Sequence, residues 1–198
     1  LGRTMTLADL AALRDTTEEA TADAVHAAAE AQLLAIATEG ERDEVTFRHD
    51  LVMAALRDQT PPATRRTLHR RALSLLQASG ARADRLAPHL LALEPDVVPT
   101  HELVRVARSC APDLGLRLVE HALGRVADND LALAVTRPEL LLWCGQPQLA
   151  AEAAALLVEE HGDHPGIEPA RAVYSHAMFL MGKVRAFAAD AAEDLGGH

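Results

Sequence analysis

Three segments of this chain echo one another at near-constant spacing. Cys110-Ala111-Pro112-Asp113-Leu114-Gly115, Gly145-Gln146-Pro147-Gln148-Leu149-Ala150 and Gly182-Lys183-Val184-Arg185-Ala186-Phe187 each lie between two apolar stretches of helical period, and they recur at 35 and 37 residues. A helical hairpin cannot bury both of its faces alone, so such units stack, build their core between neighbours and leave a concave surface. Composition agrees. Ala and Leu make up about 36% of the residues, Val and Ile about 8%, a usage that favours helices and disfavours a large sheet.

Ahead of the repeats the pattern is more varied. Thr6-Leu7-Ala8-Asp9 and Thr16-Thr17-Glu18-Glu19 carry a threonine with an acid three residues later, the signature of a capped helix start, and predict helices over about 7–14 and 17–33. Leu33–Ala37 is a short apolar run, residues 39–43 are a charged turn, and Val45-Thr46-Phe47-Arg48 alternates, as a β-hairpin requires. Asp50 is placed to cap a helix over 51–59, Pro62 opens a longer one to Ala78, Ser79-Gly80 closes it, and a further helix covers 82–93. Glu94-Pro95-Asp96 then breaks the chain and marks a domain boundary. The fold class read from these signals is mainly α. A small winged-helix unit with a short β-hairpin occupies 1–93, and an α-solenoid of tetratricopeptide-like hairpins occupies 94–198. Leu142 and Trp143 precede the second repeat turn and Phe179 and Leu180 the third, so the first helix of each hairpin ends on bulky residues.

The net charge is −10, which opposes binding to a polyanion unless cations gather on one surface. They gather in part: residues 60–93 are +5 net through Arg65, Arg66, Arg70, Arg71, Arg82 and Arg85, between flanks of −7 and −8. Arg65, Arg66, Arg70 and Arg71 are read first as interdomain contacts and second as phosphate ligands. Direct DNA binding by the winged helix is not expected, because helix 17–33 holds Glu18, Glu19, Asp23 and Glu30 and no Lys or Arg. There is no uninterrupted apolar run long enough to cross a membrane and no secretory signal, so a cytoplasmic protein is expected.

Catalytic and metal chemistry find little support. Cys110 and Cys144 stand alone and read as small core residues. His161-Gly162-Asp163-His164 falls in a loop whose two histidines are too few to fix zinc. Ser74, Ser79, Ser109 and Ser175 have no recognisable base beside them. No catalytic residue and no metal site are assigned, and His26, His69, His89, His101, His121 and His176 read as partly buried, hydrogen-bonded helix residues.

Three stretches in order, Phe47-Arg48-His49-Asp50-Leu51-Val52, Pro61–Ala72 and Pro88-His89-Leu90-Leu91, resemble the large ATP-binding regulators of the LuxR family. In that family a nucleotide-binding module of the signal-transduction ATPase type precedes a winged helix, a tetratricopeptide-like arm and a terminal DNA-binding helix-turn-helix. The resemblance covers 1–93 closely and 101–192 more loosely, and the Arg-rich, Lys-poor usage is similar to that of actinobacterial proteins. It implies that His49 contacts the terminal phosphate of bound ADP in the intact protein, with Asp50 and Arg48 in support; read from residues alone, His49 is a strand-end residue packed under the hairpin. Where relatives often carry a charged pair after His-Asp-Leu-Val, this chain has Met53-Ala54, so an ionic latch through that helix is not expected. No P-loop, magnesium-binding acid pair or C-terminal helix-turn-helix occurs in these residues, so this segment is not expected to act as an enzyme, to hold a cofactor or to read DNA. The partners implied are the upstream nucleotide module and the downstream DNA-binding domain of a longer chain, with a peptide, protein or small effector on the arm. The alternative is a free-standing helical-repeat adaptor for proteins.

Overall fold

The computed structural model describes residues 4–39, 42–94, 98–125 and 130–183. These residues form ten α-helices and one three-stranded antiparallel sheet, and the chain divides into two units, Leu1–Leu93 and Glu94–His198.

The first unit runs β1 (Thr4–Thr6), α1 (Leu7–Arg14), α2 (Glu18–Glu30), β2 (Leu34–Glu39), β3 (Arg42–Phe47), α3 (Asp50–Gln59), α4 (Pro62–Ala78) and α5 (Ala83–Leu91). The hairpin β2–β3 was legible, although residues 40 and 41 of its charged turn lie outside the described residues. Strand β1 was not foreseen: it pairs with the other edge of β3, giving the order β1-β3-β2 with Met5 opposite Val45. Thr6 ends that strand and caps α1, its hydroxyl accepting from the Asp9 amide at 3.1 Å.

Two boundaries differ from those expected. The cap of α2 is Thr17, which accepts from the Ala20 amide at 3.2 Å, whereas the exposed Thr16 shares a 2.9 Å hydrogen bond with the buried Thr21. At its far end α2 stops at Glu30 rather than 33, because Gln32 takes the left-handed conformation, φ 60°, and turns the chain into β2. Helix α1 packs on both α2 and α4, and α4 on α5, around Leu13, Val25, Leu73, Leu86 and Leu90. By contrast α3 touches mainly β3 and buries no residue.

The second unit runs α6 (Thr100–Ser109), α7 (Pro112–Leu123), α8 (Leu131–Trp143), α9 (Pro147–His161), a 3₁₀ turn (Pro165–Ile167) and α10 (Glu168–Leu180). Pro112 and Pro147, 35 residues apart, each open the second helix of a pair. Proline suits that position, where its missing N–H is not needed and its fixed φ is already helical. The connections they follow are two and three residues long, which forces the paired helices to run antiparallel. The repeat turns are not alike, however. Gly145 and Gly182 adopt φ of 74° and 71°, while Cys110 is extended and its turn is one residue shorter.

Each helix of this unit packs on the next, and α6, α8 and α10 also pack on one another in a row. Leu118, Leu133, Leu140 and Ile167 are fully buried between them, each contributing about 1.5–3 kcal/mol by leaving water. At Gly115 the backbone of α7 lies directly against that of α6. A Cβ there would collide with the Ala107 carbonyl oxygen and sit 3.2 Å from Leu140 Cδ2.

Candidate functional site

In the first unit, β3 delivers Arg48, His49 and Asp50 to the start of α3. All three are exposed, so His49 is not packed beneath the hairpin. Arg48 anchors the junction: its backbone amide donates to the Leu33 carbonyl at 3.1 Å and its Nε to the Leu34 carbonyl at 3.3 Å. The N-cap position belongs to His49, which makes no side-chain capping bond. Asp50 is therefore the first helical residue and not the cap; its carboxylate stands in the first turn, where the positive end of the helix dipole favours it. The result is an imidazole on the surface beside a helix N-terminus, a suitable donor for an anionic oxygen.

The arginines of α4 are less gathered than their spacing suggests. Arg66, Arg70 and Arg71 are exposed and Arg65 half-buried. Arg71 Nη1 donates to the Leu13 carbonyl at 3.4 Å and so ties α4 to the end of α1. No carboxylate partner is seen for Arg65, Arg66 or Arg70 among the described residues. On the same helix, His69 faces His89 of α5, Nδ1 to Nδ1 at 3.0 Å, with ring centroids 5.1 Å apart. Burial lowers the pKa of both, and neighbouring cations add to the effect: Arg57 and Arg65 at His69, His69 and Arg85 at His89, which falls to about 4.

In the second unit the row of α6, α8 and α10 carries an open cavity of about 460 Å³. Leu142, Trp143, Ala172 and Val173 form its apolar walls, and Arg108, Glu139 and His176 its polar ones. Glu139 holds Arg108 across 31 residues of sequence, Nε to Oε2 at 2.8 Å. Trp143 remains 49% exposed, and farther along α10 Phe179 and Leu180 are 66% and 55% exposed. Sequence reading picked out Trp143 and Phe179 as bulky helix ends but missed the Arg108–Glu139 pair, which only the fold brings together.

The cysteines are not core residues: both are half-buried, and neither forms a disulfide among the described residues. Burial first, then Asp113 and Glu120, push the Cys144 thiol above its ordinary range, which suppresses thiolate chemistry at neutral pH. His164 of the His161–His164 loop accepts the Gly166 amide at 3.0 Å, and His161 lies 3.8 Å from Glu160. No cluster of three metal-ligating side chains occurs among the described residues, nor is any described helix long and apolar enough to cross a membrane. Comparisons with protein-family models, with curated proteins and with solved structures find no match for this chain.

Proposed function

We propose that this chain is the winged-helix and tetratricopeptide-like arm segment of a multidomain, ATP-binding transcriptional regulator of the LuxR type. In this reading the first unit is the winged helix, α6–α10 begin the solenoid, and the segment relays nucleotide or effector state toward a DNA-binding domain. The observation that carries it is the exposed His49 at the head of α3, on a junction pinned by Arg48. With ADP held by the upstream module, His49 donates to the terminal phosphate and favours the closed state; a ligand on the arm favours the open one. Arg66 and Arg70, exposed and without a carboxylate partner among the described residues, are free to meet the nucleotide module. The test is the ADP off-rate of the protein carrying the nucleotide module. His49→Ala accelerates release if the reading holds, and an unchanged rate removes His49 from the mechanism.

A second reading, a helical-repeat adaptor independent of nucleotide, is favoured by the cavity on α6, α8 and α10. An adaptor binds its partner with no nucleotide present, whereas in the regulator the affinity of the arm for its ligand changes when ADP is exchanged for ATP.

A further inference from the structure

The row of α6, α8 and α10 presents polar and apolar groups in an arrangement that restricts what it can take. Glu139 uses Oε2 to hold Nε of Arg108. That contact fixes the plane of the guanidinium, and the terminal nitrogens make no hydrogen bond among the described residues. Arg108 thus presents a pre-oriented planar fork, 38% exposed at the side chain, toward a cavity lined on its other sides by Leu142, Trp143 and Val173. A guanidinium edge of this kind matches a carboxylate through two parallel N–H···O bonds, which a lysine cannot reproduce. His176 on the opposing helix supplies a further nitrogen.

The apolar part extends farther than a small organic acid reaches. Ala172, His176, Phe179 and Leu180 follow at helical spacing along α10, so the surface spans about two turns of helix, on the order of 12 Å, and its last turn lies beyond the cavity. Phe179 and Leu180 are more than half exposed there. We infer that this groove binds a polypeptide segment in which an acidic side chain sits next to an aromatic or large aliphatic residue. The carboxylate takes the Arg108 fork and the apolar side chain packs on Trp143 and Leu142. Residues 94–198 carry a net −8, so selection comes from this local fork and not from long-range attraction. The inference rests on the reading of α6–α10 as a ligand-binding arm.

The test is to pan a randomised nonapeptide display library against the full chain. The affinity of the enriched peptide is then measured by fluorescence anisotropy on the wild type, Arg108→Gln, Arg108→Lys and Trp143→Ala, each checked for an unchanged circular-dichroism spectrum. The expected consensus pairs an acid with an aromatic or aliphatic residue. Affinity should fall at least tenfold in Arg108→Gln and Trp143→Ala, and Arg108→Lys should not restore it. A consensus without an acid, lost in Trp143→Ala but not in Arg108→Gln, overturns the carboxylate assignment and leaves the arm reading intact. Enrichment insensitive to both substitutions, or none at all, overturns both. Equal affinity for N-acetyl-tryptophan overturns the polypeptide as occupant.

Discussion

His69 and His89 face each other Nδ1 to Nδ1 at 3.0 Å, twenty residues apart in sequence and on adjacent helices. Two such nitrogens can share only one proton, so one ring is the Nδ1–H tautomer and the other bears its proton on Nε2. A second proton between them would set two N–H groups against each other and make one ring a cation inside a buried seam, where His89 is only 2% exposed.

Acid should therefore loosen the first unit. In the unfolded chain these imidazoles take up protons near their ordinary value of 6.5, while folded His89 resists to about 4. Across that window the unfolded state binds more protons, so the contribution to stability is complete above pH 6.5 and is lost as pH falls toward 4. Its size is on the order of 3 kcal/mol. Urea unfolding at pH 7 and pH 4.5 measures it. His89→Gln, which can hydrogen-bond but takes no proton, should show a clearly smaller drop than the wild type, and an equal drop would assign the acid sensitivity to other groups.

Glycine matters for different reasons at two positions. Gly115→Ala drives a methyl group into the Ala107 carbonyl and should cost about 3 kcal/mol, read as a lower urea midpoint for the second unit. Gly80→Ala meets nothing within 4 Å and carries only the left-handed backbone penalty at φ 65°, about 1 kcal/mol.

The two residues at helix starts most useful to mutate should behave in opposite ways. Asp130 accepts from the amides of Ala132 and Leu133 at 2.9 and 3.4 Å, so Asp130→Ala should destabilise the second unit by about 1 kcal/mol. His49 is exposed and caps nothing, so His49→Ala should move the unfolding free energy by less than about 0.5 kcal/mol. A large loss of stability in His49→Ala would mean that its ring supports the fold.

Trp143 is the chain's one tryptophan and lies 49% exposed in the cavity wall. Its emission should respond to iodide or acrylamide quenching in the free chain and shift to shorter wavelength when a peptide fills the groove. Emission indifferent to a bound peptide would place that peptide elsewhere.

What the sequence revealed and what it hid divide along the range of the interactions. Threonine caps, the proline that opens α4 and the alternating β3 are local devices, and they placed the helices and the hairpin of the first unit to within a few residues. Strand β1 escaped because three residues carry no period and its partner β3 lies forty residues away. Asp50 was assigned as a cap because its residue type fits that role, but β3 ends in a conformation that gives the capping position to His49. The Arg108–Glu139 and His69–His89 pairs are properties of helix packing, and nothing in the spacing of those residues along the chain marks them.

The sharing of Thr6 between β1 and α1 makes the sheet a mechanical coupling. Thr4 sits opposite Thr46, three residues before His49, so tension applied along the backbone at Thr4 loads the β1–β3 bonds in shear and passes into the strand that carries the imidazole. If the three β1–β3 pairs part, β3 is still held along its other edge by six pairs with β2, and Arg48 still ties the strand end to Leu33 and Leu34, so the strand that carries His49 keeps its place when β1 lets go.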